Sequence, residues 1–343
     1  MPRHFFVLII KPFDFNNEIR YILIKRFNIN RQLSRWGEDM SHERWKGIIP
    51  AMLTPYGDDG AIHEGRTRRL ARHLLDQGVA GLYLCGSTGE GFLLTPDERK
   101  QVLEIVLDEV KGQVPVIVHV GTMDTATTVE LTRHAARAGA DAVSAVAPFY
   151  YKHRPQEIRN HYLDIVRAAD IPLIIYHFPD YTGVSATASF YGELAKVDQI
   201  IGLKYTSKDT FELQQIIDVC GDDFLVFNGP DECLLAGLAM GCCGAIGSTY
   251  NIMPGVFIEL FRAFREGRWE EARSKQIAAN RVIAELLKYD FIAFEKEILR
   301  LQGIPVGSPR KPIQQLTPEQ RENIRAFAEQ HPILGIGRGR APA

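Results

Sequence analysis

A chain of 343 residues that is 45% hydrophobic and 24% charged has ample material for a large core, in one domain or two. Its formal net charge of −2 leaves no electrostatic footprint for nucleic acid. The longest apolar run near the start, Phe5 to Ile10, is too short to cross a bilayer, and it lacks the small-residue cleavage site of a signal peptide.

Residues 1–39 carry scattered aromatics, Asn and Arg without a sustained helical or strand period, and read as a non-native or disordered leader outside the fold. From Gly47 onward, short apolar runs alternate with amphipathic stretches. Strands are expected over Gly47–Leu53, Gly81–Cys85, Val114–Val120, Ala142–Ala147, Leu173–Phe178, Ile200–Tyr205, Phe224–Phe227 and Gly244–Gly247. Helices are expected over Thr67–Gln77, Pro96–Val110, Thr125–Ala138, Pro155–Ala169, Thr187–Ala195 and Phe211–Val219. Thr95-Pro96-Asp97-Glu98 is a helix start, with an N-cap, a proline in the first turn and then acids, while Gly78 and Gly139 stand where helices should stop. Strands alternating with helices predict a (β/α)8 TIM barrel over residues 40–262, and 263–343 predict a C-terminal helical extension and tail, strongest at Trp269–Lys288. An open doubly wound sheet fits less well, since no GxGxxG opens the first helix.

The five cysteines are odd in number and show no CxxC spacing. They read as small apolar filler in a reducing, cytoplasmic setting, although adjacent Cys242 and Cys243 could pair. His119, His134, His153, His161 and His177 share no ligand spacing, so no metal is expected. Gly86–Gly91 lacks the lysine of a phosphate-binding loop.

Catalytic side chains of a barrel gather at the carboxyl ends of its strands. The most informative residue there is Lys204, between Leu203 and Tyr205 in a strand buried on both faces. Burial lowers an amine's pKa, and a neutral amine can attack a ketone to form an iminium. The alternative is a lysine paired with a core carboxylate or reaching solvent. Gly86-Ser87-Thr88-Gly89 offers two hydroxyls and open backbone N–H groups that could hold a carboxylate, or is a plain turn. Tyr176 is a proton relay if it lies beside the amine and otherwise a rim aromatic. Asp231-Glu232 is a hydroxyl-binding pair or the acidic first turn of a helix.

Together, GSTGE at 86–90, the tyrosine before a proline at 176–179, the strand lysine at 204 and GAIGSTYN at 244–251 resemble the N-acetylneuraminate lyase and dihydrodipicolinate synthase family of pyruvate-dependent class I aldolases. The similarity runs from about Trp45 to Lys311. The resemblance implies a Schiff base at Lys204, proton transfer by Tyr176, a carboxylate grip by Ser87 and Thr88, and Tyr150 completing a proton relay across a subunit contact of a homotetramer. It implies no cofactor beyond the covalent imine, and pyruvate and an aldehyde or sugar as small-molecule partners. Asp141–Val146, Lys204–Ser207 and Gly247–Asn251 are closer to the lyases, where positions matching Thr206, Gly229, Asp231, Glu232 and Ser248 contact the sugar-derived hydroxyl chain. Synthases usually carry an arginine where Tyr181 stands. His177 and Asp180-Tyr181 depart from both patterns, which leaves the aldehyde side open to a 2-keto-3-deoxy sugar acid aldolase or dehydratase, or to a synthase. A ligand-binding barrel without turnover is the non-enzyme alternative.

Overall fold

The computed structural model describes residues 42–336, so the leader read over 1–39 lies outside the described residues. Eight strands form one all-parallel sheet: β1 (Gly47–Pro50), β2 (Leu82–Leu84), β3 (Val116–His119), β4 (Ala142–Val146), β5 (Leu173–His177), β6 (Ile200–Tyr205), β7 (Leu225–Asn228) and β8 (Gly244–Gly247). Each pairs with its sequence neighbour from β2 through β8, and β8 pairs with β1. The last gap is bridged where Ala51 meets Tyr83 and the Met52 N–H donates to the Tyr83 carbonyl at 2.8 Å. The result is a nearly closed (β/α)8 barrel.

Alternation along each strand sorts side chains between two layers. Leu203 and Tyr205 belong to the outer core beneath the helices, whereas Tyr83, Ile117, Ile174, Tyr176, Phe227 and Ile246 fill the centre of the barrel. The eight barrel helices are α1 (Glu64–Asp76), α2 (Pro96–Val110), α3 (Thr125–Ala138), α4 (Pro155–Ala168), α5 (Ala188–Leu194), α6 (Thr210–Cys220), α7 (Leu234–Met240) and α8 (Pro254–Arg265). α2 starts as expected, with a full capping box between Thr95 and Glu98. α1 starts earlier than its apolar pattern suggested, because His63 caps it by accepting the Arg66 N–H at 3.2 Å. No helix among the described residues is long and apolar enough to cross a membrane.

Three further helices, α9 (Trp269–Leu286), α10 (Phe291–Leu301) and α11 (Pro318–Glu329), form the C-terminal extension. A buried ion pair fastens it to the barrel. Lys296 Nζ on α10 lies 2.7 Å from Glu90 Oε1, off the direction of an ideal hydrogen bond, and donates to the Thr54 carbonyl at 3.0 Å. The other Glu90 oxygen accepts the Arg310 N–H at 2.7 Å, and the Arg310 guanidinium grips Glu98 at 2.6 and 2.8 Å. Glu90 is held in the left-handed region at φ 54°, as is Cys85 at φ 56°, so the clamp also fixes the strained loop after β2. Lys296→Ala strands a buried carboxylate and should cost about 3–5 kcal/mol in urea unfolding. A loss near ~1 kcal/mol or less, the scale of an exposed pair, would show that the clamp does not hold the two parts together.

Candidate active site

At the carboxyl ends of the strands lies a cavity of about 330 Å³ lined by Ser87, Thr88, Tyr176, Lys204, Thr206, Gly229, Asp231, Glu232 and Ser248. Lys204 and Tyr176 are direct partners in the β5–β6 register, so both point to the barrel centre. Lys204 is only 5% exposed, and its Nζ lies 4.1 Å from the Tyr176 ring centre and 4.6 Å from that of Tyr83. Aromatic faces surround the amine where an anion would otherwise hold it charged. Burial pushes its pKa down to about 7, with Asp231 opposing. At neutral pH a large share of Lys204 is therefore the free amine.

Burial raises the Tyr176 phenol well above its ordinary value, while the Ser87 and Thr206 hydroxyls favour the phenolate. Tyr176 thus rests protonated beside a free amine, which is the arrangement a proton donor to an attacked carbonyl needs. The loop carrying Ser87 and Thr88 is a tight turn closed by Glu90 N–H to Ser87 O at 3.1 Å and Gly91 N–H to Gly86 O at 3.0 Å. A carboxylate seated there would meet hydroxyls and backbone N–H groups in one place.

On the far wall, Asp231 opens a turn of 3-10 helix after β7, and Oδ2 accepts from both the N–H (2.8 Å) and hydroxyl (2.7 Å) of Thr249. Burial lifts its pKa to about 6. Oδ1 has no hydrogen-bond partner and rests against Gly247, where a Cβ would lie 1.6 Å away. Thr206 Oγ1 is likewise unpartnered and rests against Gly229, where a Cβ would lie 2.0 Å away. Asp231 therefore opens a helical turn, one of the two readings offered by the sequence, and it also lines the cavity. The turn is fixed by α9, as Gln276 donates to the Asp231 carbonyl at 3.1 Å and Asn280 to the Glu232 carbonyl at 3.1 Å. Glu232 pairs with Lys208 at 3.0 Å on the cavity rim.

The dihydrodipicolinate synthetase family model matches residues 44–331. The chain belongs to that family. It is 38% identical over 287 residues to an N-acetylneuraminate lyase of Clostridium perfringens, covering 83% of this chain and 99% of the relative. Two solved structures match with TM-scores of 0.82 and 0.81. The first, the Ruminococcus gnavus sialic acid aldolase catalytic lysine mutant, is 32% identical over 84% of this chain and 96% of its own. The second, CdNal from Clostridium difficile in complex with mannosamine, is 36% identical over 83% of this chain and 99% of its own.

Nine of the residues picked out in the sequence thus meet around one cavity. Tyr150 does not join them in a single chain: it is 81% exposed, with φ at +77°. The histidines are structural or peripheral in this view. His119 is held neutral by burial, beside Arg99 and Lys204, and His177 bonds the Tyr191 hydroxyl at 2.7 Å behind β5. All five cysteines are free, including Cys242 and Cys243. No group of three or more His, Cys, Asp or Glu among the described residues is placed to hold a metal ion. Sequence reasoning missed Tyr83, the second ring against Lys204, although its place between Leu82 and Leu84 marks it as inward-facing. It also missed Lys208, Phe178 and the wall built from Ile283, Leu286, Leu287 and Phe291 of the extension.

The rate of borohydride-trapped adduct formation with excess pyruvate should rise with pH through about 7 and then level, as the buried amine loses its proton. Lys204→Ala should form no adduct by mass spectrometry. A rate still climbing steeply at pH 9 would mean that the amine keeps its ordinary basicity.

Proposed function

We propose that the chain is an N-acetylneuraminate lyase, cleaving its substrate reversibly to pyruvate and N-acetylmannosamine through an imine at Lys204. The observation that carries this reading is the unpaired, desolvated Lys204 amine in ring contact with Tyr176, opposite a wall of hydroxyl-binding groups. The relatives named above support the choice of substrate.

The Lys204 amine adds to the C2 ketone of the open-chain sugar acid, whose carboxylate lies against Ser87 and Thr88. Tyr176 gives its proton to the departing hydroxyl, which leaves as water, and the iminium forms. The cation so created stabilises the new phenolate beside it. The phenolate then removes the proton of the C4 hydroxyl, the C3–C4 bond breaks, and its electron pair moves into the iminium to give an enamine and the free aldehyde. Protonation at C3 and hydrolysis release pyruvate and regenerate the amine. Thr206, Gly229, Asp231, Glu232 and Ser248 hold the hydroxyl chain, because carboxylates and hydroxyl lone pairs accept from neighbouring sugar hydroxyls. Tyr181 fills the place of an arginine clamp for a second carboxylate, which counts against synthase chemistry.

The chain works as a homotetramer in which Tyr150 reaches a neighbouring subunit's site. Its exposure and positive φ support this, together with exposed Phe92, Met123 and Tyr151. The free thiols support a cytoplasmic setting.

Pyruvate release from N-acetylneuraminate tests the assignment. Release only from 2-keto-3-deoxy sugar acids, or condensation only with aspartate semialdehyde, would overturn it. Tyr176→Phe should lower kcat by about 10²–10⁴-fold, the usual worth of a general acid–base group. Asp231→Ala should raise KM for the sugar while pyruvate trapping above pH 7 is retained, with its rise shifted to lower pH because the carboxylate that favours the charged amine is gone.

A further inference from the structure

One aromatic ring beside the reacting amine takes no part in the steps derived above. Tyr83 is 0% exposed and lies outside the cavity lining, yet its ring face is 4.6 Å from Lys204 Nζ, close to the 4.1 Å of Tyr176. The two rings meet edge to face, with centres 6.2 Å apart and planes at 83°, so they form an aromatic corner around the amine. The Tyr83 ring is held from three sides. Its hydroxyl donates to Ser144 Oγ on β4 at 3.1 Å, Tyr176 packs across it, and Gly86 closes on its edge so tightly that a Cβ there would lie 2.6 Å from ring Cε1. Glycine at 86 thus lets the loop bearing Ser87 pass the ring. Tyr83 also keeps its proton, because burial holds the phenol well above its ordinary pKa. Tyr176 must give up and recover a proton in each cycle, whereas Tyr83 offers an unchanging neutral face.

We infer that Tyr83 is a further catalytic residue, whose ring face binds the positive charge on the Lys204 nitrogen, above all in the iminium. A ring attracts a desolvated cation through its quadrupole but carries no net charge of its own. That distinction suits a nitrogen that starts neutral, becomes cationic when the carbinolamine loses water, and is neutral again in the enamine. A carboxylate in contact with the nitrogen would instead hold the resting amine as ammonium. The inference rests on the imine at Lys204 proposed above and not on the identity of the aldehyde.

The test reads pyruvate affinity from the saturation of cyanoborohydride trapping at about pH 5.5 and about pH 9. It compares the wild type with Tyr83→Leu, Tyr83→Phe and Tyr83→pentafluorophenylalanine in the full chain. Above the amine pKa of about 7, the ring favours the iminium over a neutral amine. Below it, both sides of the equilibrium are cations and the effect of the ring cancels. Tyr83→Leu should therefore weaken pyruvate about ten-fold at the higher pH, the worth of one buried cation–π contact, and leave it nearly unchanged at the lower. By the same ten-fold, the pH at which the trapping rate levels should fall by about one pH unit. Tyr83→Phe keeps the face and should behave as wild type, although it loses the Ser144 bond. The fluorinated ring fills nearly the same space with its quadrupole reversed, so it should match leucine, and it carries the test if the leucine variant folds poorly. The inference is overturned if leucine leaves affinity at the higher pH intact, or if its loss is equal at both, as a structural disturbance would give. It is overturned equally if phenylalanine is as impaired as leucine, or if the fluorinated ring behaves as phenylalanine. Wild-type protein that traps no pyruvate would sink the imine reading itself. Wild type that traps pyruvate without cleaving N-acetylneuraminate would sink the lyase reading alone, and the same comparison would still decide the role of Tyr83.

Discussion

A lysine buried in a protein core must either find an anion or give up its proton, and the described residues include a lysine of each kind, one on the extension and one in the barrel. Lys296 and Lys204 are 3% and 5% exposed. Lys296 meets the Glu90 carboxylate at 2.7 Å, and the pair serves to hold α10 on the barrel. Lys204 meets ring faces, its neighbour His119 is neutral, and Asp231 is the one carboxylate that acts on it. Similar burial with different partners thus gives one lysine held by a counter-ion and one whose amine readily loses its proton. Desolvation alone is not the device; what matters is desolvation without a close counter-ion.

The barrel and the extension divide the remaining work. Strand ends supply the amine, the phenol and the hydroxyl loop, the groups assigned above to the pyruvate half of the proposed substrate. α9 and α10 supply the opposite wall: Gln276 and Asn280 fix the turn bearing Asp231 and Glu232, and Leu286, Leu287 and Phe291 close the mouth. The two halves are joined by one element, since Glu90 ends the loop that carries Ser87 and Thr88 and is itself held by Lys296 and Arg310 from the C-terminal side. Displacement of α10 would therefore disturb both the Ser87–Thr88 loop and the opposite wall of the cavity. This coupling explains why a site built on barrel loops depends on helices outside the barrel.

Much of this was legible in the sequence, for local reasons. β6 and β8 fall at the expected residues because apolar runs with turn glycines admit little else. β1 stops at Pro50 rather than Leu53, since the residues beyond leave the β8 ladder to meet Tyr83 and close the barrel. α7 was not foreseen: Leu-Leu-Ala-Gly-Leu-Ala-Met is apolar all round and shows no helical period, as a buried segment can. Lys204, Tyr176, Ser87 and Thr88 could be read because strand register places them. The wall from α9 and α10 could not, because nothing local says which face of a C-terminal helix will cover a barrel mouth.

The departures at 177–181 now have a physical sense on the aldehyde side. Tyr181 stacks on Phe178 at 4.2 Å, and Phe178 on Tyr176 at 5.7 Å, so an aromatic column runs from the Tyr176 phenol to the rim. An arginine in place of Tyr181 would set a permanent cation near Lys204 and offer a planar fork to a second carboxylate. With tyrosine there, the cation lining the cavity besides Lys204 is Lys208, already engaged by Glu232. A dicarboxylic partner would find its second anion opposed by Asp180, Asp231 and Glu232 without a free counter-charge. A neutral hydroxyl chain needs no counter-charge, and its carbon faces would meet Phe178, Tyr181 and Leu287 of the cavity lining. The electrostatics of the rim therefore support the proposed uncharged aldehyde through what they withhold as much as through what they offer.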